Sequence, residues 1–230
     1  MKNLLLFGSS GQIGSKLKET FLAQDYHVYC VKRKPKDISS EYDILWNFVD
    51  NDKFEIKKDI KFSSICFAHG ININDSIYEF EPNLNLDLYK INCFSILTAL
   101  NSLIKLSLLQ IECKICIISS IWQNLARQNK LSYCVSKSAI QGIVNSLSVD
   151  LAKENYLINA ILPGALDTEM TKNNLSNQQL NNLKSQTNFN KLANIEDVAN
   201  MVYFLCSDKN TSITGQFINI DLGFCNAKII

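Results

Sequence analysis

The sequence predicts an α/β domain with a doubly wound, predominantly parallel sheet of seven strands and helices on both faces. Short runs rich in Val, Ile, Leu and Phe alternate along the chain with longer amphipathic segments of helical period. Glycine, proline, serine or aspartate follows most of these runs, and no internal repeat or linker interrupts the alternation. The predicted strands are residues 3–7, 28–31, 44–49, 64–68, 115–118, 156–162 and 216–220.

Length and composition fit one large domain, residues 1–230, because 47% of the residues are apolar and 20% are charged. The net charge of +1 gives no reason to expect nucleic acid or an anionic membrane as a partner. The apolar opening run stops at Gly8, and no stretch is long enough to span a bilayer. We therefore expect a cytoplasmic protein.

Eight cysteines lie scattered, mostly within apolar runs, as is typical of buried free thiols in a cytoplasmic chain. Cys113 and Cys116 have the C-x-x-C spacing of redox and zinc sites. No second cysteine pair accompanies them, and the chain has only two histidines, His27 and His69. The sequence therefore predicts no metal site.

A glycine-rich turn follows the first strand and precedes an amphipathic helix that ends near residue 23. Strand, glycine-rich turn and helix together form the context of a dinucleotide fingerprint. The first glycine permits the tight turn, the second lets the backbone approach a pyrophosphate, and the third lets helix pack on strand. The helix N-terminus then faces the phosphates. The residues expected to contact the cofactor here are Gly8, Ser9, Ser10, Gly11, Gln12, Ile13 and Gly14.

The end of the second strand favours NADP(H) over NAD(H). An acidic residue there would bind the ribose hydroxyls of NAD, whereas basic residues suit the 2′-phosphate of NADP. Lys32-Arg33-Lys34 follows the strand, and the first acid is Asp37. We expect Arg33 to bind the phosphate, with help from Lys32 and Ser9; a solvated basic loop before Pro35 is the alternative. Asp50, which ends the third strand, is a predicted adenine contact.

A proton-transfer site is predicted after the fifth strand. The run 115–118 ends in Ser119-Ser120, and a helical pattern then places Tyr133 and Lys137 four residues apart, on one face of a helix. An ammonium beside a tyrosine stabilises the phenolate and lowers the tyrosine pKa toward the working pH. Ser120 can donate a hydrogen bond to an oxygen at the same point. The three side chains suit a carbonyl or alcohol oxygen.

The remaining strand ends converge on the same edge of the sheet. Ala68-His69-Gly70 closes the fourth strand and Pro163-Gly164 the sixth. Because ligands bind at the carboxyl ends of parallel strands, these residues are expected to form one site with Gly8, Asp50 and Ser120.

Three further segments are expected to shape that site. Residues 87–109 form a predicted long helix whose most polar inward position is Asn92. Residues 167–190, rich in Asn, Gln, Ser and Lys, form either a helical lid over a pocket or a flexible insertion with no role. Trp122 and Gln123 are predicted to line the substrate pocket; Arg127 is either a solvated loop residue or an anion clamp.

With these residues the chain resembles the short-chain dehydrogenase/reductase family over almost its whole length. Ser120 followed by Tyr133-Cys-Val-Ser-Lys137 has the family's order and spacing. The segments 159–168 and 214–221 match those that the family places around the nicotinamide and in its C-terminal strand. The chain looks like the compact single-domain branch, which includes 3-oxoacyl-carrier-protein reductases and many sugar, steroid and polyol dehydrogenases.

The resemblance implies a Rossmann-type fold and an enzyme that interconverts a carbonyl and a secondary alcohol. Tyr133 would be the general acid and base, Lys137 would also hold the nicotinamide ribose, and Ser120 would polarise the carbonyl. Asn92 would hold a water that links Lys137 to solvent. The nicotinamide and adenosine contacts implied are Ala68, His69, Gly70, Pro163, Gly164, Leu166 and Thr168. A polar sugar-derived or acyl-carrier-linked substrate and a homodimer or homotetramer are also expected.

The chain departs from the family pattern at several positions. The usual Asn-Asn-Ala-Gly is Phe67-Ala68-His69-Gly70 here, so His69 either packs near the adenosine ribose or points away from it. Gln123 replaces a glycine that often follows the catalytic serine by three positions.

Two alternative functions remain: a cofactor-binding sensor or scaffold without turnover, and a sugar-nucleotide epimerase or dehydratase, which would usually have a larger C-terminal domain.

Overall fold

The computed structural model describes residues 2–49, 60–169, 171 and 176–226. It confirms the predicted fold class: seven strands form one wholly parallel sheet in the order β3-β2-β1-β4-β5-β6-β7. The strands are β1 Lys2–Phe7, β2 Tyr26–Lys32, β3 Asp43–Leu45, β4 Phe62–Phe67, β5 Leu109–Ile118, β6 Leu157–Pro163 and β7 Phe217–Ile220.

Helices cover both faces of this sheet. The named α-helices are α1 Gln12–Leu22, α2 Pro82–Tyr89, α3 Ser95–Lys105, α4 Leu131–Asp150, α5 Asn177–Ser185 and α6 Ile195–Cys206. One hydrophobic core holds buried residues of α3 and α4, and a second holds those of α1 and α6. Strand β1 shows why two cores form. Its residues Leu5 and Phe7 belong to the first core, whereas Leu4 and Leu6 belong to the second, because strand side chains alternate between faces.

The order in which the chain adds strands to the sheet reverses between β1 and β4, which makes this the topological switch point. The chain winds outward from β1 to β2 and β3, then returns across the sheet to β4 and continues to β7. In such sheets the crevice at the switch point, outside the carboxyl ends of the strands, is where ligands bind. The glycine-rich turn after β1 and the residues after β4 therefore share one crevice.

The third strand is shorter than predicted. The structure assigns Asp43–Leu45 to β3, and the rest of the apolar run 44–49 continues as a loop. Trp46 and Phe48 are nevertheless buried, because both contact the ring of Phe7, with centroids 5.7 and 4.9 Å apart. A buried loop and a buried strand have the same apolar composition, and composition alone had predicted the longer strand.

The predicted long helix 87–109 is present, but it begins and ends earlier than predicted and its middle turn is π-helical. Helix α2 begins earlier, with Pro82 in its first turn, where its missing N–H has no helical partner to lose. A π-helical turn, Lys90–Phe94, separates α2 from α3. Helix α3 ends at Lys105, and Ser107 has a left-handed φ of 53° that leads the chain into β5.

Cys113 and Cys116 cannot bind one metal ion together or form a disulfide with each other within β5. They are three residues apart on one strand, so their side chains point to opposite faces. Cys113 lies in the first core and Cys116 in the second. Among the described residues, no helix combines the length and apolar character that a membrane span requires.

Two helical glycines provide a test of the packing between α1 and β1. A Cβ on Gly14 would lie 2.1 Å from the carbonyl oxygen of Gly8, whereas a Cβ on Gly142 would meet nothing within 4 Å. We expect Gly14→Ala to lower the free energy of unfolding by about 1–3 kcal/mol, because backbone must move. Gly142→Ala, on the exposed side of α4, should raise it by about 0.5–1 kcal/mol. Urea unfolding of both variants measures the difference, and equal stabilities would contradict the close approach.

Candidate active site

Of the three glycines in the glycine-rich turn, Gly11 has free space beside its backbone, whereas Gly8 and Gly14 are closely packed. Gly8 has a positive φ of 81°, and a Cβ there would lie 2.6 Å from the backbone nitrogen of His69. A Cβ on Gly11 would touch nothing nearer than 3.5 Å. The turn is therefore packed against β4 and α1 on two sides and leaves the middle of its backbone free for a ligand. These contacts fit a pyrophosphate.

The N-terminus of α1 opens toward the same crevice. Gly11 is the capping residue, and no side chain caps this end of the helix. Gln12 and Ile13, in the first turn, line a cavity of about 1100 Å³. Uncapped amide groups and the helix dipole attract negative charge at such an end. Ser9 is buried and Ser10 is exposed within the turn.

An acid that the sequence did not predict there, Asp43 of the neighbouring strand β3, lies beside the end of β2. Lys32 Nζ donates to Ser9 Oγ over 3.1 Å and lies 4.0 Å from Oδ1 of Asp43, the first residue of β3. Asp43 follows the strand by eleven residues in sequence, and only the pairing of β3 with β2 brings it near. Arg33 is exposed, with no ion pair to any residue that the structure describes. Arg33 is thus an exposed cation at the end of β2. Asp50 lies outside the described residues.

His69 is neutral and presents a bare nitrogen in its pocket. Its Nε2 is 3.0 Å from Ser95 Oγ, which itself donates to the Ile91 carbonyl, so Nε2 must carry the proton and donate. Burial and the positive charge of Lys137 lower the His69 pKa to about 3. Nδ1 is buried and has no hydrogen-bond partner among the described residues. His69 also lines the large cavity, beside Ala68 and Gly70.

Ser120, Tyr133 and Lys137 line the same cavity. Ser120 follows β5, and its Oγ accepts a hydrogen bond from the Trp122 backbone nitrogen over 3.3 Å. Tyr133 and Lys137 lie one turn apart on α4, with Nζ of the lysine 5.7 Å from the centre of the tyrosine ring. Lys137 Nζ donates to the Ile118 carbonyl over 3.0 Å, which ties α4 to the end of β5.

Burial dominates the electrostatics of this group. It raises the Tyr133 pKa above its ordinary value, and a hydrogen bond with Ser120 opposes the rise. Lys137 was expected to lower this pKa, but its ammonium bonds the backbone instead of the phenol. Burial also lowers the Lys137 pKa from 10.5 to about 8.

Asn92 lies in the π-helical turn and joins three segments. Its Oδ1 accepts from the Ile71 nitrogen (2.8 Å), and its Nδ2 donates to the Ile71 carbonyl (2.9 Å) and to Ser136 Oγ (3.0 Å). Gly70 packs against it so closely that an added Cβ would lie 3.2 Å from Asn92 Oδ1 and 3.8 Å from Lys137 Nζ. Both amide hydrogens are in use, so Asn92 could hold the expected water only through an oxygen.

The far wall of the cavity comes from the segments after β6. Pro163, Gly164, Leu166 and Thr168, which were expected to contact the nicotinamide, line it. Gly164 donates its backbone N–H to the Ile220 carbonyl over 2.9 Å, which fixes this turn against β7. Polar side chains of α5 complete the wall, so the described part of the predicted lid does face the cavity.

The loop between Ser120 and Tyr133 divides its side chains between two cavities. Trp122 lines the large cavity, as expected. Gln123 does not: its Oε1 accepts from Ser119 Oγ over 2.8 Å, and it is buried beneath the loop, where it borders a second cavity of about 640 Å³. The expectation that Gln123 lines the substrate pocket is wrong, because a serine earlier in the same loop holds the amide inward.

The start of α4 depends on a residue that the sequence did not single out. Asp75, which is buried, accepts hydrogen bonds from the backbone nitrogen of Ser132 over 3.0 Å and from its hydroxyl. The helix has no cap from its own preceding residue, Lys130. Asp75 therefore caps the helix that carries Tyr133 from a segment more than fifty residues earlier in the chain. No local pattern marks such a long-range cap.

Comparison with known proteins identifies the family. The family model described as "Enoyl-(Acyl carrier protein) reductase" matches residues 22–225. The 3-oxoacyl-[acyl-carrier-protein] reductase of Aquifex aeolicus is 35% identical over 106 residues, which is 46% of this chain and 42% of that protein. The L-rhamnose 1-dehydrogenase (NADP(+)) of Thermoplasma acidophilum is 33% identical over 115 residues, 50% of this chain and 45% of that protein.

Solved structures agree with the fold. A gluconate 5-dehydrogenase from Burkholderia cenocepacia in complex with NADP and tartrate superimposes with a TM-score of 0.88 at 18% identity, covering 99% of this chain and 96% of that one. The chain spans about half the length of the curated relatives that it matches. It belongs to the short-chain dehydrogenase/reductase family.

The buried ammonium of Lys137 makes stability depend on pH. Its pKa is about 8 in the folded protein and 10.5 ordinarily, so between these values the unfolded chain binds more protons and stability rises with pH. Relative to Lys137→Met, the wild-type free energy of unfolding should gain on the order of 3 kcal/mol between pH 7 and pH 10. Lys153→Met, which replaces a lysine with an 81% exposed side chain, is the control and should show no such gain. Urea unfolding across pH measures this, and parallel curves would contradict the burial effect.

Proposed function

We propose that this protein is an NADP(H)-dependent oxidoreductase that interconverts a carbonyl group and a secondary alcohol. The observation that carries the proposal is that Ser120, Tyr133 and Lys137 line one cavity with Gln12 and Ile13 of the glycine-rich turn and helix. A dinucleotide bound at the turn would extend along this cavity toward the tyrosine. The cofactor would supply or accept the hydride at the substrate carbon.

The side chains of this chain would handle the proton. In reduction, Tyr133 would give its phenolic proton to the carbonyl oxygen, and Ser120 would donate a hydrogen bond to the oxygen as negative charge develops. The Lys137 ammonium, 5.7 Å from the ring, would then stabilise the phenolate. In oxidation the same groups act in reverse. The raised Tyr133 pKa suits an acid that must hold its proton until the substrate arrives.

The sensor and epimerase alternatives receive less support. The proposed set of Ser120, Tyr133, Lys137 and Asn92 is intact, whereas a protein without turnover often lacks one member. The family model and the relatives reported above are named as reductases and dehydrogenases. We further expect a homodimer or homotetramer, which would cover apolar side chains exposed around α3 and α4, among them Phe94, Leu97 and Val135.

Replacing Tyr133 tests the proton donor. Tyr133→Phe should lower turnover of NADPH with a responsive carbonyl by about 10²–10⁴-fold, because the acid is lost. NADPH binding, measured by fluorescence titration, should change little. Tyr89→Phe, an equivalent change on α2 at an exposed position, is the control. Full activity in Tyr133→Phe would remove the proposed acid, and a broad ketone and sugar panel without any NADPH or NADH oxidation would favour the sensor.

Cofactor preference has its own test. NADPH should bind more tightly than NADH, because Arg33 offers an exposed cation at the end of β2. Arg33→Ala should weaken NADPH binding by about tenfold and leave NADH binding unchanged, as a charge-assisted hydrogen bond is lost. Lys34→Ala, one residue further along, is the matched control. Equal affinities for the two cofactors in the wild type would contradict the preference.

A further inference from the structure

The cavity wall near Ser120 and Tyr133 has an unbalanced positive charge. Arg127 and Lys130 both line the cavity, and no Asp or Glu does so among the described residues. Both belong to the loop that follows β5, whereas the glycine-rich turn follows β1, two strands away across the sheet. They are therefore placed to meet the substrate. The glycine-rich turn and α1 would meet the cofactor phosphates.

Arg127 is positioned by an aromatic ring. Its Cζ lies 5.9 Å from the centre of the Trp122 ring, within the range of a cation–π contact. Trp122 in turn packs on Phe224, with ring centroids 6.3 Å apart. Arg127 forms no ion pair with any residue in the described part of the chain. The guanidinium is thus held at the cavity with its hydrogen-bond donors free.

Lys130 is fixed more firmly, and the carboxylate that acts on it, Asp75, does not line the cavity. Its Nζ donates to Asn72 Oδ1 over 2.9 Å and to the Ile73 carbonyl over 3.3 Å, which leaves one N–H unused. The nearby carboxylate of Asp75 is occupied with Ser132. Partial burial and the charge of Arg127 both lower the Lys130 pKa. Two cations that repel each other at a cavity wall are stabilised when an anion binds between them.

The rest of this wall suits hydroxyl groups. Carboxamides and a hydroxyl face the cavity from α5 and from the segments after β4 and β6: Asn72, Asn74, Thr171, Gln179, Asn182 and Gln186. Each carboxamide offers both donors and acceptors. Asn72, Thr171 and Gln179 already have partners within the protein. An apolar chain would cover the amides of Asn74, Asn182 and Gln186 without offering them hydrogen bonds, at a cost of about 1–3 kcal/mol each. A chain of hydroxyls would satisfy them.

We propose that the substrate is a polyhydroxylated carbonyl or alcohol with an anionic end, a carboxylate or a phosphate, which Arg127 and Lys130 bind. The inference rests on the proposed function and specifies its substrate class. In the oxidative direction, the substrate C–H bond breaks and its hydride reduces NADP⁺ to NADPH. The hydroxyl proton passes to the Tyr133 phenolate, and a ketone is formed.

Three polyols that share one six-carbon chain test this inference: sorbitol, which is neutral, gluconate, which has a carboxylate, and the phosphate monoester of sorbitol. We expect kcat/KM for NADP⁺ reduction to be at least about tenfold higher with one of the two anions than with sorbitol. The anion that reacts better identifies the group recognised. Arg127→Gln and Lys130→Gln keep a polar side chain, and each should lower the anion-to-sorbitol ratio by about tenfold. Lys184→Met on α5, a cation outside the cavity lining, should leave the ratio unchanged.

The outcomes separate this inference from the proposed function. An unchanged ratio in both glutamine variants, or faster oxidation of sorbitol than of either anion, would overturn the anion site while turnover itself supports the oxidoreductase. If none of the three compounds reacts, their binding to the Tyr133→Phe variant, measured by calorimetric titration, tests the anion site instead. The inference is supported if an anion binds this variant and if adding Arg127→Gln weakens that binding about tenfold. It is overturned if the anions bind no more tightly than sorbitol.

Discussion

The hydrogen bond from Lys137 Nζ to the Ile118 carbonyl is the contact on which the site depends. It brings an ammonium group into the interior between α4 and the end of β5, at the cost that the lowered pKa reports. The same charge acts on its surroundings. It helps to keep His69 neutral, and it stands where a Tyr133 phenolate would form. One buried cation therefore lies near both groups, and burial has the larger effect on both pKa values.

Keeping that cation in place requires supports from distant parts of the chain. Asp75 caps α4, and Asn92 ties the π-helical turn to Ile71 and to Ser136 on the same helix. The π turn places the Asn92 amide where it bonds the backbone of Ile71, after β4, and the hydroxyl of Ser136 on α4. π turns are frequent at functional sites. Each polar group in this set has a partner, so the buried network favours one geometry.

The sequence predicted the parts of this structure that local pattern determines. Strand–turn–helix alternation, the glycine-rich turn and the spacing of Tyr133 and Lys137 are all local, and the fold class followed from them. Two contacts that were not predicted are long-range. Asp43 reaches Lys32 only through strand pairing, and Asp75 caps a helix far along the chain. The Gln123 prediction failed locally, because the hydroxyl of Ser119, four residues earlier, donates to its amide oxygen and holds it inward. The length of the third strand was predicted wrongly for another reason. The apolar loop that packs on Phe7 has the composition of a strand.

The proton-transfer group and the pocket wall are built differently, and this explains which of them a sequence reveals. Ser120, Tyr133 and Lys137 are positioned by a strand end and a helix, so their spacing is a signature. The pocket wall is made largely by side chains of a loop and of α5, which lie outside the seven-stranded sheet. Substitutions there change the ligand without changing the scaffold. Arg127 and Lys130 appear in the sequence as ordinary loop cations. Only the fold places them in the same cavity as the serine and tyrosine, with no carboxylate among the described residues that line it. That placement makes them candidates to bind an anion.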